Sequence, residues 1–85
     1  MAYTVNIKRS AEKELSRLSE VMHDRVIKSL LSLKHNPVPS GARKLHGRDG
    51  YRLRVGDYRI LYQVYDLERR IEVVSIAHRK DVYRL

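Results

Sequence analysis

Apolar residues alternate at the start of the chain. Tyr3, Val5 and Ile7 are separated by Thr4, Asn6 and Lys8, which predicts a strand over residues 3–8 with one apolar face. The period then lengthens. Ala11, Leu15 and Leu18 recur at spacings of four and three, one side of a short helix that Ser10 is placed to cap. Met22, Val26, Leu30 and Leu33, widened by Ile27 and Leu31, predict a second helix from about Val21 to His35. Pro37 ends it, because proline disfavours helical geometry in the residue before it, Asn36. The short segment around Ser19-Glu20 folds the two helices into an antiparallel hairpin.

Residues 37–50 hold both prolines and three of the four glycines, with Arg43, Lys44, His46 and Arg48 among them, and read as a loop. Beyond it the period drops to two. Tyr51, Leu53 and Val55 alternate with Arg52 and Arg54. Gly56-Asp57 forms a tight turn, since glycine accepts positive φ. Tyr58 to Tyr65 is a strand apolar on both faces, Asp66 to Arg70 a second turn, and Ile71 to Ala77 the last strand. Arg69 and Arg70, in that turn, are expected to be solvated. The predicted fold class is α+β: an N-terminal strand, a two-helix antiparallel hairpin covering one sheet face, then a three-stranded antiparallel meander.

Size sets limits on this picture. The chain has 85 residues and reads as a single domain over 1–85. A chain so short buries only about 60% of its unfolded surface. It has no cysteine, so neither a disulfide nor a thiolate metal site supplements the core. No apolar run approaches the ~20 residues of a membrane-spanning helix. Met1-Ala2-Tyr3-Thr4 lacks the features of a signal peptide, and the expected location is the cytoplasm. Eighteen lysines and arginines against 10 acids give a net charge of +8. That charge attracts a nucleic acid, an acidic protein or an anionic surface.

No familiar hydrolase constellation is present. The glycines do not form a phosphate loop. His23, His35, His46 and His78 lack zinc spacing, and no acidic cluster suits magnesium. A nuclease on this scaffold is expected to work without a metal. The distinctive feature is arginine within strands. Arg52 and Arg54 share a face, Arg59 follows the turn into the neighbouring strand, and Arg79 follows the last strand with Tyr83 four residues on. A single exposed arginine commonly lays its stem over apolar surface and needs no ligand. Four that converge repel one another until an anion binds. Tyr51, Tyr58, Tyr62 and Tyr65 suit packing positions in strands. His78 has the parity of Val74 and Ile76, a structural position, although its ordinary pKa also suits proton transfer.

The runs Lys44-Leu45-His46-Gly47, Tyr51-Arg52-Leu53-Arg54-Val55-Gly56-Asp57-Tyr58-Arg59-Ile60-Leu61-Tyr62 and His78-Arg79-Lys80-Asp81-Val82-Tyr83 resemble the RelE branch of the RelE/ParE toxin superfamily. The order of elements agrees along essentially the whole chain. The resemblance implies the two-layer RelE/ParE-like fold. It also implies the toxin of a type II toxin–antitoxin pair, an endoribonuclease that cuts messenger RNA in the ribosomal A site without a cofactor. It places Arg59, Arg79 and Tyr83 at catalytic positions and Arg52 and Arg54 at substrate-binding ones, with Lys44, Arg48 and His78 as further substrate-binding candidates. Tyr83 would serve as a base with a pKa lowered by the arginines, or would stack on a nucleobase. The implied partners are a RelB-like antitoxin, the ribosome with its message, and operator DNA bound indirectly through the toxin–antitoxin complex. The helix hairpin and the basic sheet are the expected antitoxin surfaces, an acidic segment over the arginines being the simplest block. The competing reading is a ParE-like toxin that inhibits DNA gyrase by binding; such chains lack the Arg59, Arg79 and Tyr83 set as a unit. A third is a stand-alone basic nucleic-acid-binding module.

Overall fold

The computed structural model describes residues 2–78. Its elements in chain order are β1 (Thr4–Ile7), α1 (Arg9–Ser16), α2 (Glu20–Leu33), β2 (Ala42–Lys44), β3 (Tyr51–Val55), β4 (Tyr58–Tyr65) and β5 (Arg70–His78). The predicted meander is present as β3, β4 and β5, antiparallel throughout, with Val55 opposite Tyr58 and Tyr65 opposite Arg70 at the two turns. Two pairings lay outside the expectation. β1 runs parallel to β5, with Val5 opposite Ile71, and β2 adds an antiparallel edge to β3. The result is a mixed five-stranded sheet of order β1-β5-β4-β3-β2.

Alternation fixes which residues meet the helices. Val55, Ile60, Tyr62, Ile71, Val73 and Ile76 turn to one face and bury against Ala11, Leu15, Val26, Leu30 and Leu33. Fully burying a side chain of this size contributes about 1.5–3 kcal/mol. The apolar stripe of α2 is therefore the main reason this face is fixed. The opposite face carries Arg52, Arg54 and Arg59, away from the core that α1 and α2 cover.

Local details correct two sequence-based expectations. Ser10 does not cap α1. The Lys8 amide donates to the Val73 carbonyl and the Lys8 carbonyl accepts from the Glu12 amide, so the helix starts at Arg9 with no side-chain cap and Ser10 already inside. Ser19 does cap α2, its hydroxyl accepting from the Met22 amide at 3.2 Å. Arg70 is not merely solvated. It heads β5, where it meets Glu72 at 2.6 Å and Glu68 at 3.1 Å and lies 4.1 Å from the Tyr65 ring centre. Tyr3 ties β1 to the β4–β5 turn by donating to Asp66 at 2.7 Å, and this bond is the main reason its phenol is held above the usual range.

Tyr62 closes the core from below. Its ring is 1% exposed and its hydroxyl donates to the Pro37 carbonyl at 2.8 Å. Burial, with Tyr51 adding to it, pushes the phenol up to about 12. The folded chain thus holds this proton more tightly than the unfolded chain, whose tyrosines ionise near 10. The associated stability is complete below pH ~10 and is lost as pH rises from there through about 12. Tyr62→Phe is expected to cost about 1 kcal/mol at neutral pH through the lost hydrogen bond, and to flatten this alkaline decline. Urea denaturation at stepped pH measures both; an equally steep decline in the variant would contradict the assignment.

Candidate functional site

Three strands place one column of arginines on the sheet face opposite the helix-covered core. In β3, Arg52 and Arg54 alternate away from the core-facing Tyr51, Leu53 and Val55. Arg59 on β4 lies directly opposite Arg54, and Arg43 on β2 directly opposite Arg52. Arg43, Arg52, Arg54 and Arg59 together with Gly41 line a cleft of about 270 Å³. Gly41 leaves room at the rim: a methyl group there would only just touch Leu53.

Like charges set directly opposite across a sheet disfavour folding by roughly 0.2–1 kcal/mol per pair. Little in the described residues offsets this. Arg43 donates to the Ser40 and Ala42 carbonyls and Arg54 to the Gly56 carbonyl. None of the four is in an ion pair there. Arg59 is the extreme case. Its Nη1 is buried and has no hydrogen-bond partner among the described residues. A buried donor left unpaired costs about 1–3 kcal/mol, and more when charged. A phosphate oxygen would satisfy it, and guanidinium groups bind phosphate through paired N–H donors.

The remaining sequence candidates separate. Lys44 pairs with Tyr51, so alternation turns it to the face opposite Arg43. Arg48 sits over Leu61 and Val74, away from the cleft. His78 pairs with Tyr58, whose ring it meets edge-on at 5.2 Å between centres, which gives it the helix-side parity opposite to Arg59. These three are not gathered with the arginines. Arg79 and Tyr83 lie outside the described residues. Arg43 was missed because its strand is too short to show a period within a loop-like composition. Among the described residues no group of three or more metal-ligating side chains is assembled, and no helix is long and apolar enough to cross a membrane.

A family model described as the ParE toxin of type II toxin–antitoxin systems, parDE, matches residues 5–83. The chain is 36% identical over 91 residues to a RelE-like toxin protein of Escherichia coli, spanning 100% of this chain and 94% of that protein. It is 32% identical over 85 residues to Toxin RelE of Mycobacterium tuberculosis, spanning 98% of this chain and 88% of that one. Among solved structures, it superposes on a chain of the archaeal RelE–RelB complex from Pyrococcus horikoshii with a TM-score of 0.84 at 32% identity, covering 93% of this chain and 97% of the other. The isolated E. coli RelE toxin gives 0.80 at 28% identity, with 98% and 93% covered. These relatives are RelE toxins and do not favour the gyrase-inhibiting alternative.

Proposed function

Since this chain belongs to the ParE toxin family of type II toxin–antitoxin systems and is a RelE-like toxin, we propose that it cleaves messenger RNA in the ribosomal A site, without a metal ion. The observation that carries this reading is Arg59, a buried guanidinium nitrogen with no hydrogen-bond partner among the described residues, in a cleft walled by three further arginines.

The chemistry matches what such a cleft supplies. The substrate 2′-hydroxyl attacks the adjacent phosphorus and gives up its proton. The bond from phosphorus to the 5′ oxygen breaks, leaving a cyclic phosphate and a 5′-hydroxyl that takes up a proton. Negative charge builds on the phosphorane oxygens, where preorganised donors stabilise the transition state most. Arg59 and Arg79 take this role, and Arg52 and Arg54 hold the strand. Ala77, the neighbour of Arg59 in β5, is two residues before Arg79 in the sequence. Tyr83 acts as the base or stacks on a nucleobase to align the 2′-hydroxyl. A weak base fits dependence on the ribosome, which adds alignment of the substrate.

The named RelE–RelB complexes of P. horikoshii and E. coli support a RelB-like antitoxin as the partner. An acidic segment of it would neutralise the arginines, and the complex would bind operator DNA through the antitoxin. The action on ribosomes places the toxin in the cytoplasm. Expression of the toxin alone is expected to stop growth and to produce new message ends inside translated regions within minutes. Arg79→Ala is expected to remove these ends and Tyr83→Phe to reduce them strongly, as read by mapping message 5′ ends after brief induction. Chromosome breaks with intact messages would overturn the proposal.

A further inference from the structure

A second cationic surface lies beside the cleft. Arg9, Lys13 and Arg17 recur every four residues along α1 and its C-terminal cap, all exposed. Residues so spaced are neighbours on one helix face, and like charges there are mutually unfavourable. None of the three makes an ion pair or side-chain hydrogen bond among the described residues, and Glu12 on the same helix forms no ion pair with them. Lys13 and Arg17 form one wall of a groove of about 480 Å³ whose other side is Arg48 and whose floor is Leu61 and Val74. Among the described residues the groove has one carboxylate, Glu14, and it is already engaged: it accepts from the Ile76 amide at 3.0 Å and from the Ser75 hydroxyl at 3.3 Å. Leu61 is two residues from Arg59 on the same face of β4, so groove and cleft share the side of the sheet opposite the core.

The groove's chemistry selects among polyanions. A membrane-surface helix needs an exposed apolar face, but the apolar side of α1, Ala11 and Leu15, is buried in the core. Protein interfaces centre on large apolar or aromatic anchors, and among the described residues no aromatic ring lines this groove. Single-stranded nucleic acid is typically held by stacking on such rings. A double helix gripped by its phosphates needs neither. Its affinity comes from released counterions, and RNA duplexes are recognised mainly by shape and backbone.

We infer that α1 and Arg48 form a phosphate-binding ridge that grips the backbone of double-helical RNA, independently of sequence, while the arginine cleft holds the strand to be cut. This rests on the RNA-directed reading of the cleft. The test uses the full chain carrying Arg59→Ala, so that the probe survives, and an RNA hairpin with a stem of about 16 base pairs. Binding is followed by fluorescence anisotropy over a range of KCl concentrations. Adding Arg9→Gln, Lys13→Gln, Arg17→Gln and Arg48→Gln should reduce the slope of log affinity against log salt by about 3, since each lost phosphate contact removes roughly 0.7–0.9. The arginine-to-lysine variants at positions 9, 17 and 48 should keep the full slope, because charge alone is required. An unchanged slope in the glutamine variant with an unchanged circular dichroism spectrum would overturn the inference. So would an equal loss for an unpaired RNA of the same length, or equally tight, equally salt-dependent binding of a polyglutamate peptide. Ribosomal cleavage with Arg59 intact or replaced reports on the cleft separately, so failure of one reading is distinguishable from failure of the other.

Discussion

Arg59→Met is expected to lower message cleavage on programmed ribosomes by about 10²–10³-fold, the loss typical of removing one preorganised donor at a developing oxyanion, and to make the protein more stable. The two effects have one cause. The Arg59 Nη1 is out of water with no partner among the described residues, and its charge stands directly opposite that of Arg54. Methionine keeps an unbranched stem over the sheet and removes both penalties. Relief of ~1 kcal/mol would raise the melting temperature by about 4–8 °C in a domain of this size. A purely structural arginine predicts the reverse, since its removal would destabilise the chain and leave chemistry intact in the folded fraction. Arg52→Met is the internal comparison. It is exposed and makes no side-chain hydrogen bond among the described residues, so its stability gain should be smaller and its effect should fall mainly on substrate affinity. Calorimetry and single-turnover cleavage on the same samples separate the cases. Full activity in Arg59→Met would remove the cleft from the mechanism.

Much of this arrangement was legible in the sequence because it depends on short-range period. The alternation of Tyr51 to Val55 and the Gly56-Asp57 turn fix the β3–β4 register, and that register sets Arg59 against Arg54. The stripe of Met22, Val26, Leu30 and Leu33 identified α2 and the face it covers. What escaped was set by distant contacts. The parallel joining of β1 to β5 pairs Val5 with Ile71, which no local pattern reveals. β2 has three residues in a segment rich in proline and glycine, and only its pairing with β3 shows that Arg43 belongs to the arginine column. The register slip between Leu61 and Tyr62 is likewise a property of the assembled sheet. Lys44, Arg48 and His78 were grouped with the site through the resemblance, whereas strand parity and the fold of the 45–50 loop carry them elsewhere. Glu14, which accepts from the Ile76 amide beyond the last β1 pairing, gave no sequence signal at all.

Gly50→Ala is expected to be among the most destabilising single-methyl changes in the chain, whereas Gly47→Asn should be nearly neutral. Both glycines have positive φ, +72° at Gly47 and +117° at Gly50. At Gly47 the backbone is left-handed helical, which asparagine tolerates, and nothing lies within 4 Å of an added Cβ. At Gly50 the φ value suits glycine, and an added Cβ would stand 2.8 Å from the Tyr62 carbonyl oxygen. That oxygen belongs to the β4 backbone at the Tyr51–Tyr62 pairing, so relief requires β3 to move relative to β4. Backbone strain of this kind costs about 1–3 kcal/mol before the clash is counted. The melting temperature should therefore fall by roughly 10–20 °C. β3 carries Arg52 and Arg54, and a shift of about 1 Å in positioning groups can cost ~10²-fold in rate. Cleavage by the folded fraction, measured well below the midpoint of melting, should accordingly fall as well. A Gly50→Ala protein that melts within ~2 °C of the parent and cuts at the same rate would show that the β3–β4 register does not hold the arginine cleft in place.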